Sequence, residues 1–175
     1  MTNDAMAIQR LLRQVGPSEI FARYVHEELA GEVYRLEEYE SRPSARTSDN
    51  LLIYHASIGE PAVVSFLLER SERLVLKYHN ITPPGYFLHV DPHFAELLAG
   101  GRVELAALRA RVRLALADSI YNARELEDLG YPDVRVSPLV VETDRLSKLD
   151  DDPEATRRLD QQLGGPLLLF VGQLL

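Results

Sequence analysis

The 175-residue chain contains no cysteine. That absence excludes disulfides, thiol nucleophiles and zinc sites of the cysteine type, and it suits a reducing, cytoplasmic setting. No apolar run approaches the roughly 20 residues that a membrane helix needs. The stretch Met1–Gln14 has no apolar core of the kind that marks a secretory leader. Positive charge is in deficit, with 19 basic against 27 acidic side chains and a net charge of −8. That balance argues against a nucleic-acid partner and against an anionic-membrane binder. Lysine is scarce, at 2 against 17 arginines, which reads first as compositional bias. What is present is ordinary: 46% hydrophobic and 26% charged residues, as in a globular domain. The length corresponds to one domain. There is no internal repeat and no low-complexity stretch.

Apolar periodicity outlines the elements. Ala5, Ile8, Leu11, Leu12 and Val15 have helical spacing; Asn3 or Asp4 would cap that helix, and Gly16-Pro17 would end it. Glu19–Tyr24 reads as a strand, with a short second one near Val33–Leu36 in a polar, acidic region. Leu51–Tyr54 and Leu74–Tyr78 read as buried strands, with a helix from Pro61 to Arg70 between them. Asp91 and Pro92 open a helix through Leu98, which Gly100-Gly101 should interrupt before its stripe resumes at Val103, Leu105, Leu108 and Val112. Leu114–Ile120 either finishes that helix or switches to a strand. A short helix over Ala123–Leu129, a strand at Val134–Val136, a connector from Pro138 to Asp152 and a helix over Pro153–Leu163 follow. Leu167–Gly172 reads as a last buried strand. Alternating strands and helices predict an α/β fold with a doubly wound, mostly parallel, Rossmann-like sheet.

In such sheets ligands bind beyond the carboxyl ends of the strands. His55 and Ser57 fall past the predicted strand Leu51–Tyr54, and Gly59 follows. His79, Asn80 and Thr82 fall past Leu74–Tyr78, and Ser119 and Asn122 past Leu114 onward. Imidazoles at that rim can donate, accept a proton or polarise a leaving group near neutral pH. The bland alternative is that these polar groups satisfy loop backbone. Gly59 would either let the chain turn or let a ligand approach the backbone closely.

Other clusters carry less. His89, Asp91 and His93 are metal-ligand types, but they straddle a helix start and would not share a face, so no metal site is assigned. Glu27, Glu28, Glu32, Glu37, Glu38 and Glu40 read as a solvated acidic face. Arg102, Arg109, Arg111 and Arg113 would make one long helix positive, either for ion pairing or as an anion or lipid-headgroup surface. Serine-elbow, P-loop and dinucleotide glycine motifs are missing.

Four segments, in order, carry a resemblance: Leu52–Gly59 (LIYHASIG), Tyr78–Pro84 (YHNITPP), Ala117–Leu126 (ADSIYNAREL) and Leu168–Leu174 (LLFVGQL). Together they resemble the N-terminal, acceptor-side domain of family 4 glycosyltransferases of the GT-B fold, which transfer a sugar from a nucleotide-sugar with retention. The resemblance implies a domain over residues 1–165, lacking its first strand, with residues 166–175 beginning a donor-binding domain that the chain does not contain. It implies His79 as the catalytic-cleft histidine. It places Asn3, His55, Ser57, Gly59, Asn80, Thr82, Ser119 and Asn122 on the acceptor side, with Gly172 and Gln173 on the donor side. Gln173 departs from the family's usual arginine. It implies no cofactor and metal independence, since positive groups and helix N-termini hold the leaving phosphate. The expected partners are a nucleotide-sugar donor through the missing domain and a sugar, lipid or glycan acceptor. Peripheral membrane contact and self-association through exposed sheet edges complete that set. Alone, the chain would be catalytically incomplete. The alternatives are a non-catalytic α/β binding or interaction module, or a non-functional gene fragment.

Overall fold

The computed structural model describes residues 2–43, 49–141 and 152–163. The chain divides into two units, residues 1–141 and 142–175. In the first unit, helix α1 spans Thr2–Leu12, followed by the short parallel pair β1 (Ile20–Ala22) and β2 (Val33–Arg35). A four-stranded sheet then forms from β3 (Leu51–Ala56), β4 (Arg73–Tyr78), β5 (Val112–Ala117) and β6 (Val134–Val136). Its strands are all parallel and lie in sequence order, joined by α2 (Pro61–Leu68), α3 (Pro92–Leu108) and α4 (Ile120–Asp128). The α/β, parallel, Rossmann-like expectation is therefore met. In the second unit, α5 (Pro153–Leu163) is the described element. The expected domain boundary after residue 165 and the expected strand Leu167–Gly172 lie outside the described residues.

Right-handed crossovers between neighbouring parallel strands put α2, α3 and α4 on one face of the sheet. That face holds the main core. Leu74, Leu76 and Tyr78 of β4 pack with Val64 and Leu67 of α2, Leu98, Leu105 and Leu108 of α3, and Leu126 of α4. Successive strand residues point to opposite faces, so Val75 and Lys77 of β4 point the other way. They too are buried, Lys77 completely. Coverage on both faces explains why β4 reads as a nearly unbroken apolar run. Lys77 is the one interruption.

The acidic region folds as a small annex. A 3-10 turn over Leu36–Ser41 buries Tyr39, whose ring meets Phe21 of β1 and Phe66 of α2 edge-on at 5.1 and 5.2 Å. The Tyr39 hydroxyl donates to Glu72 at 2.9 Å, tying the annex to the entrance of β4. The six glutamates of the acidic run are exposed, as expected of a solvated face. Four have local partners: Glu28 lies against His26, Glu37 pairs with Arg23, Glu40 with Arg70, and Glu38 accepts from the Arg35 backbone.

Several expectations are corrected. Helix α1 ends at Leu12, short of Val15; Leu11 and Val15 are exposed, and the helix instead buries Ala7, Asp4 and Gln9. Asp4 lies in its first turn rather than capping it. Helix α3 runs through Gly100-Gly101 without a break, because Gly101 fits against Gly59 where no side chain has room. Val112 belongs to β5, so Leu114 onward is strand. The arginines do not form one helix face, since α3 ends at Leu108. Arg102 reaches Glu125 and the Ile81 carbonyl, Arg109 the Leu129 carbonyl, and Arg111 the carbonyls of Arg70 and Glu72.

Candidate functional site

The register of the sheet builds the site. His55 of β3 pairs with Lys77 of β4, and Lys77 pairs with Leu116 of β5. Alternation then aims His55, Lys77, His79 and Asp118 at the same face, the one opposite α2, α3 and α4. The ladder continues past the strand ends, with His79 N donating to Ala56 O at 2.9 Å and Asp118 N to Tyr78 O at 3.2 Å. Four polar side chains are thus held by backbone geometry at the carboxyl ends of three strands. His55 lies within β3, not past its end.

The side chains form a linked row. His55 Nδ1 lies 2.8 Å from His79 Nε2, and His79 Nδ1 lies 2.8 Å from Asp118 Oδ2. The two ring planes differ by 20° with centroids 5.1 Å apart, so the imidazoles meet edge to edge. The Lys77 ammonium donates to Asp118 Oδ1 and to the Ser137 carbonyl. An unpaired buried ammonium would be very costly, and these two acceptors remove that cost. Asp118 in turn fixes His79: a carboxylate on Nδ1 holds the ring with its Nδ1–H and leaves Nε2 as an acceptor. His55 Nδ1 then supplies the proton between the rings.

Helix α1 adds a fifth group. Asp4 is 4% exposed. Its Oδ1 accepts from Val140 N at 2.8 Å, which ties α1 to the chain after β6. Its Oδ2 lies 3.9 Å from both His55 Nδ1 and His79 Nε2 and has no hydrogen-bond partner. Burial, with the neighbouring His79 second, pushes the His55 imidazole down to about 4, and Asp4 opposes that shift.

The turn after His79 is strained and pinned. Asn80 has φ 76°, in the left-handed region, and its Oδ1 is buried without a partner. Ile81 N donates to the Tyr78 hydroxyl at 3.1 Å, and Ile81 O accepts from Arg102 at 2.6 Å. Glu125 receives both the Tyr78 hydroxyl and the Arg102 guanidinium. Burial and that carboxylate raise the Tyr78 phenol, so it stays protonated as a donor. Compared with known protein families, curated proteins and solved structures, the chain matches none.

Of the residues singled out from the sequence, His55 and His79 come together in this row, and Asn80 lies beside them. Ser119 is an exposed N-cap that accepts from Asn122 N at 3.2 Å, and Asn122 is buried in the first turn of α4. Ser57 is half-buried, and Thr82 is exposed in the loop after β4. The close approach of Gly59 is to the α3 backbone, at Leu97 and Gly101. Gly172, Gln173 and the Asn3 side chain lie outside the described residues. His89 and His93 are exposed, and Asp91 accepts from Phe94 N at 2.9 Å as the cap of α3. Asp4 was read only as a helix cap, and Lys77 and Asp118 were not singled out. The one readable signal was a lysine inside an otherwise apolar strand.

Proposed function

We propose that this chain forms the acceptor side of a nucleotide-sugar-dependent, retaining glycosyltransferase. One observation carries the proposal. An imidazole stands at the carboxyl rim of a parallel sheet, oriented by Asp118 and followed by a strained, pinned turn at Asn80. Open parallel sheets bind their ligands at that rim, and the ordered segments around His55, His79 and Ser119 resemble the acceptor-side domain of family 4 glycosyltransferases.

In this reading His79 is the catalytic residue, touching the acceptor or the transferred sugar. Asp118 and Lys77 position it from the other side of the ring. Asn80 Oδ1 is buried without a protein partner, so a ligand donor such as a sugar hydroxyl would reach it only as the turn opens. In this reading the donor nucleotide is held by a second domain facing this rim.

The test is a labelled sugar-transfer assay with uridine and guanosine diphosphate sugars, using the chain joined to a donor-binding domain. The expected result is transfer that falls roughly 100-fold in His79→Ala, typical of losing one catalytic contact. An inactive wild-type protein, or a His79→Ala variant of equal activity, would overturn the proposal. Saturable sugar binding without any transfer would favour a non-catalytic module.

A further inference from the structure

We propose that Asp4, His55 and His79 form a binding site for a divalent cation of the zinc class. The three ligand atoms are Asp4 Oδ2, His55 Nδ1 and His79 Nε2. Their separations are 2.8 Å between the nitrogens and 3.9 Å from each nitrogen to the oxygen. The point equidistant from all three corners of that triangle lies about 2.1 Å from each, which is the zinc–imidazole and zinc–carboxylate bond length. Two imidazoles and one carboxylate suit zinc, cobalt or nickel better than the hard cations magnesium or calcium.

Two further observations point to a ligand. Asp4 is almost wholly buried, and its Oδ2 is aimed between the two rings with no partner in the protein. A buried carboxylate oxygen without a donor is costly, and a cation at the equidistant point would satisfy it. Second, the far nitrogen of His79 is already held by Asp118 at 2.8 Å. A carboxylate behind the ligating histidine is the outer-shell arrangement that fixes ring orientation and raises ligand basicity in metal sites.

Charge favours the same occupant. The groups facing the triangle are Asp4 from α1, His55 from β3, Lys77 and His79 from β4 and the turn after it, and Asp118 after β5. Lys77 and Asp118 offset one another as an ion pair, which leaves the Asp4 carboxylate unbalanced. Binding replaces the proton between the imidazoles with the metal ion, and that proton moves to Nε2 of His55, so both rings ligate as neutral imidazoles. Each ring, now aimed at the other, turns toward Asp4 as this happens. His55 and His79 retain 15% and 7% side-chain exposure, so the triangle lies just beneath the surface of the rim. The inference departs from the metal independence that the family resemblance implies. It rests on the triangle and not on sugar transfer.

The experiment uses the full 175-residue chain, stripped with a chelator and titrated with cobalt and with zinc. Calorimetry and the visible cobalt spectrum are the readouts. One equivalent should bind, with ligand-field bands of a nitrogen–oxygen site. Asp4→Asn should weaken binding roughly 100-fold, and Asp118→Asn about 10-fold, as for loss of an outer-shell partner. The His89→Ala/His93→Ala pair, which removes the exposed histidines, should bind as wild type. Circular dichroism checks that each variant folds. Should Asp4→Asn not fold, imidazole nitrogen shifts in the wild-type protein decide instead: zinc must move those of His55 and His79. Absence of stoichiometric binding, unaltered affinity in Asp4→Asn, loss of binding only with His89 and His93, or unmoved His55 and His79 resonances would each overturn the proposal.

Discussion

Gly59 and Gly101 meet backbone to backbone. A Cβ on Gly101 would lie 2.7 Å from Gly59 N, and one on Gly59 would lie 2.8 Å from Gly101 N. The contact brings Gly59 N to the Leu97 carbonyl of α3 at 3.2 Å. It fixes the turn that leaves β3 after Ala56, the residue following His55, and so it links helix packing to the site.

Gly101→Ala is expected to destabilise the fold by about 1–3 kcal/mol, because the Gly59 and Ile58 backbone atoms against it cannot step aside. At its neighbour Gly100, the place a methyl group would take has nothing within 4 Å. Gly100→Ala should therefore stabilise α3 by roughly 0.5–1 kcal/mol, the ordinary helix preference for alanine over glycine. Urea denaturation of the two variants checks the opposite signs. Equal effects would show that the backbone contact does not constrain α3.

Lys77→Met should cost about 3–5 kcal/mol, since it strands the Asp118 carboxylate and the Ser137 carbonyl near the buried face of the sheet. The double variant Lys77→Met/Asp118→Asn should cost less than the sum of the single changes, by about 1–3 kcal/mol. A double-mutant cycle in denaturant measures the difference, and strict additivity would contradict the pairing.

In metal-free protein His55 should titrate near pH 4. Its unfolded value is near 6.5, so between these limits the unfolded chain binds a proton that the native state does not. The stability from this group is complete above pH 6.5 and is lost as the pH falls toward 4, by about 3 kcal/mol in total. Two-dimensional NMR of the imidazoles, beside denaturation at several pH values, checks both parts. A midpoint for His55 near 6.5 would contradict its burial against His79.

Much of the fold was legible because periodicity records which face of an element is covered. Strands β3, β4 and β6 and the Asp91-Pro92 start of α3 were all readable this way. The errors have a common cause. Gly100-Gly101 looked like an interruption because local chain preference disfavours glycine in a helix, yet a contact with Gly59, distant in sequence, requires one there. Leu11 and Val15 looked like core, yet α1 turns Asp4 and Gln9 inward instead.

The site was legible only in part. His55 and His79 could be picked out because each lies at or near the end of an apolar run, and that position is written in the sequence. Their neighbours could not. Asp118 joins His79 through the register of β4 against β5, Lys77 finds its acceptors across two strands, and Asp4 arrives from a helix at the other end of the unit. The sequence alone determined the alternation of strands and helices, the burial of β4 and the two histidines at the rim. Only the tertiary structure decided that these histidines touch and that a buried, unpartnered carboxylate faces both. Such contacts depend on strand register and helix placement, which are set by packing summed over the whole unit and not by local residue pattern.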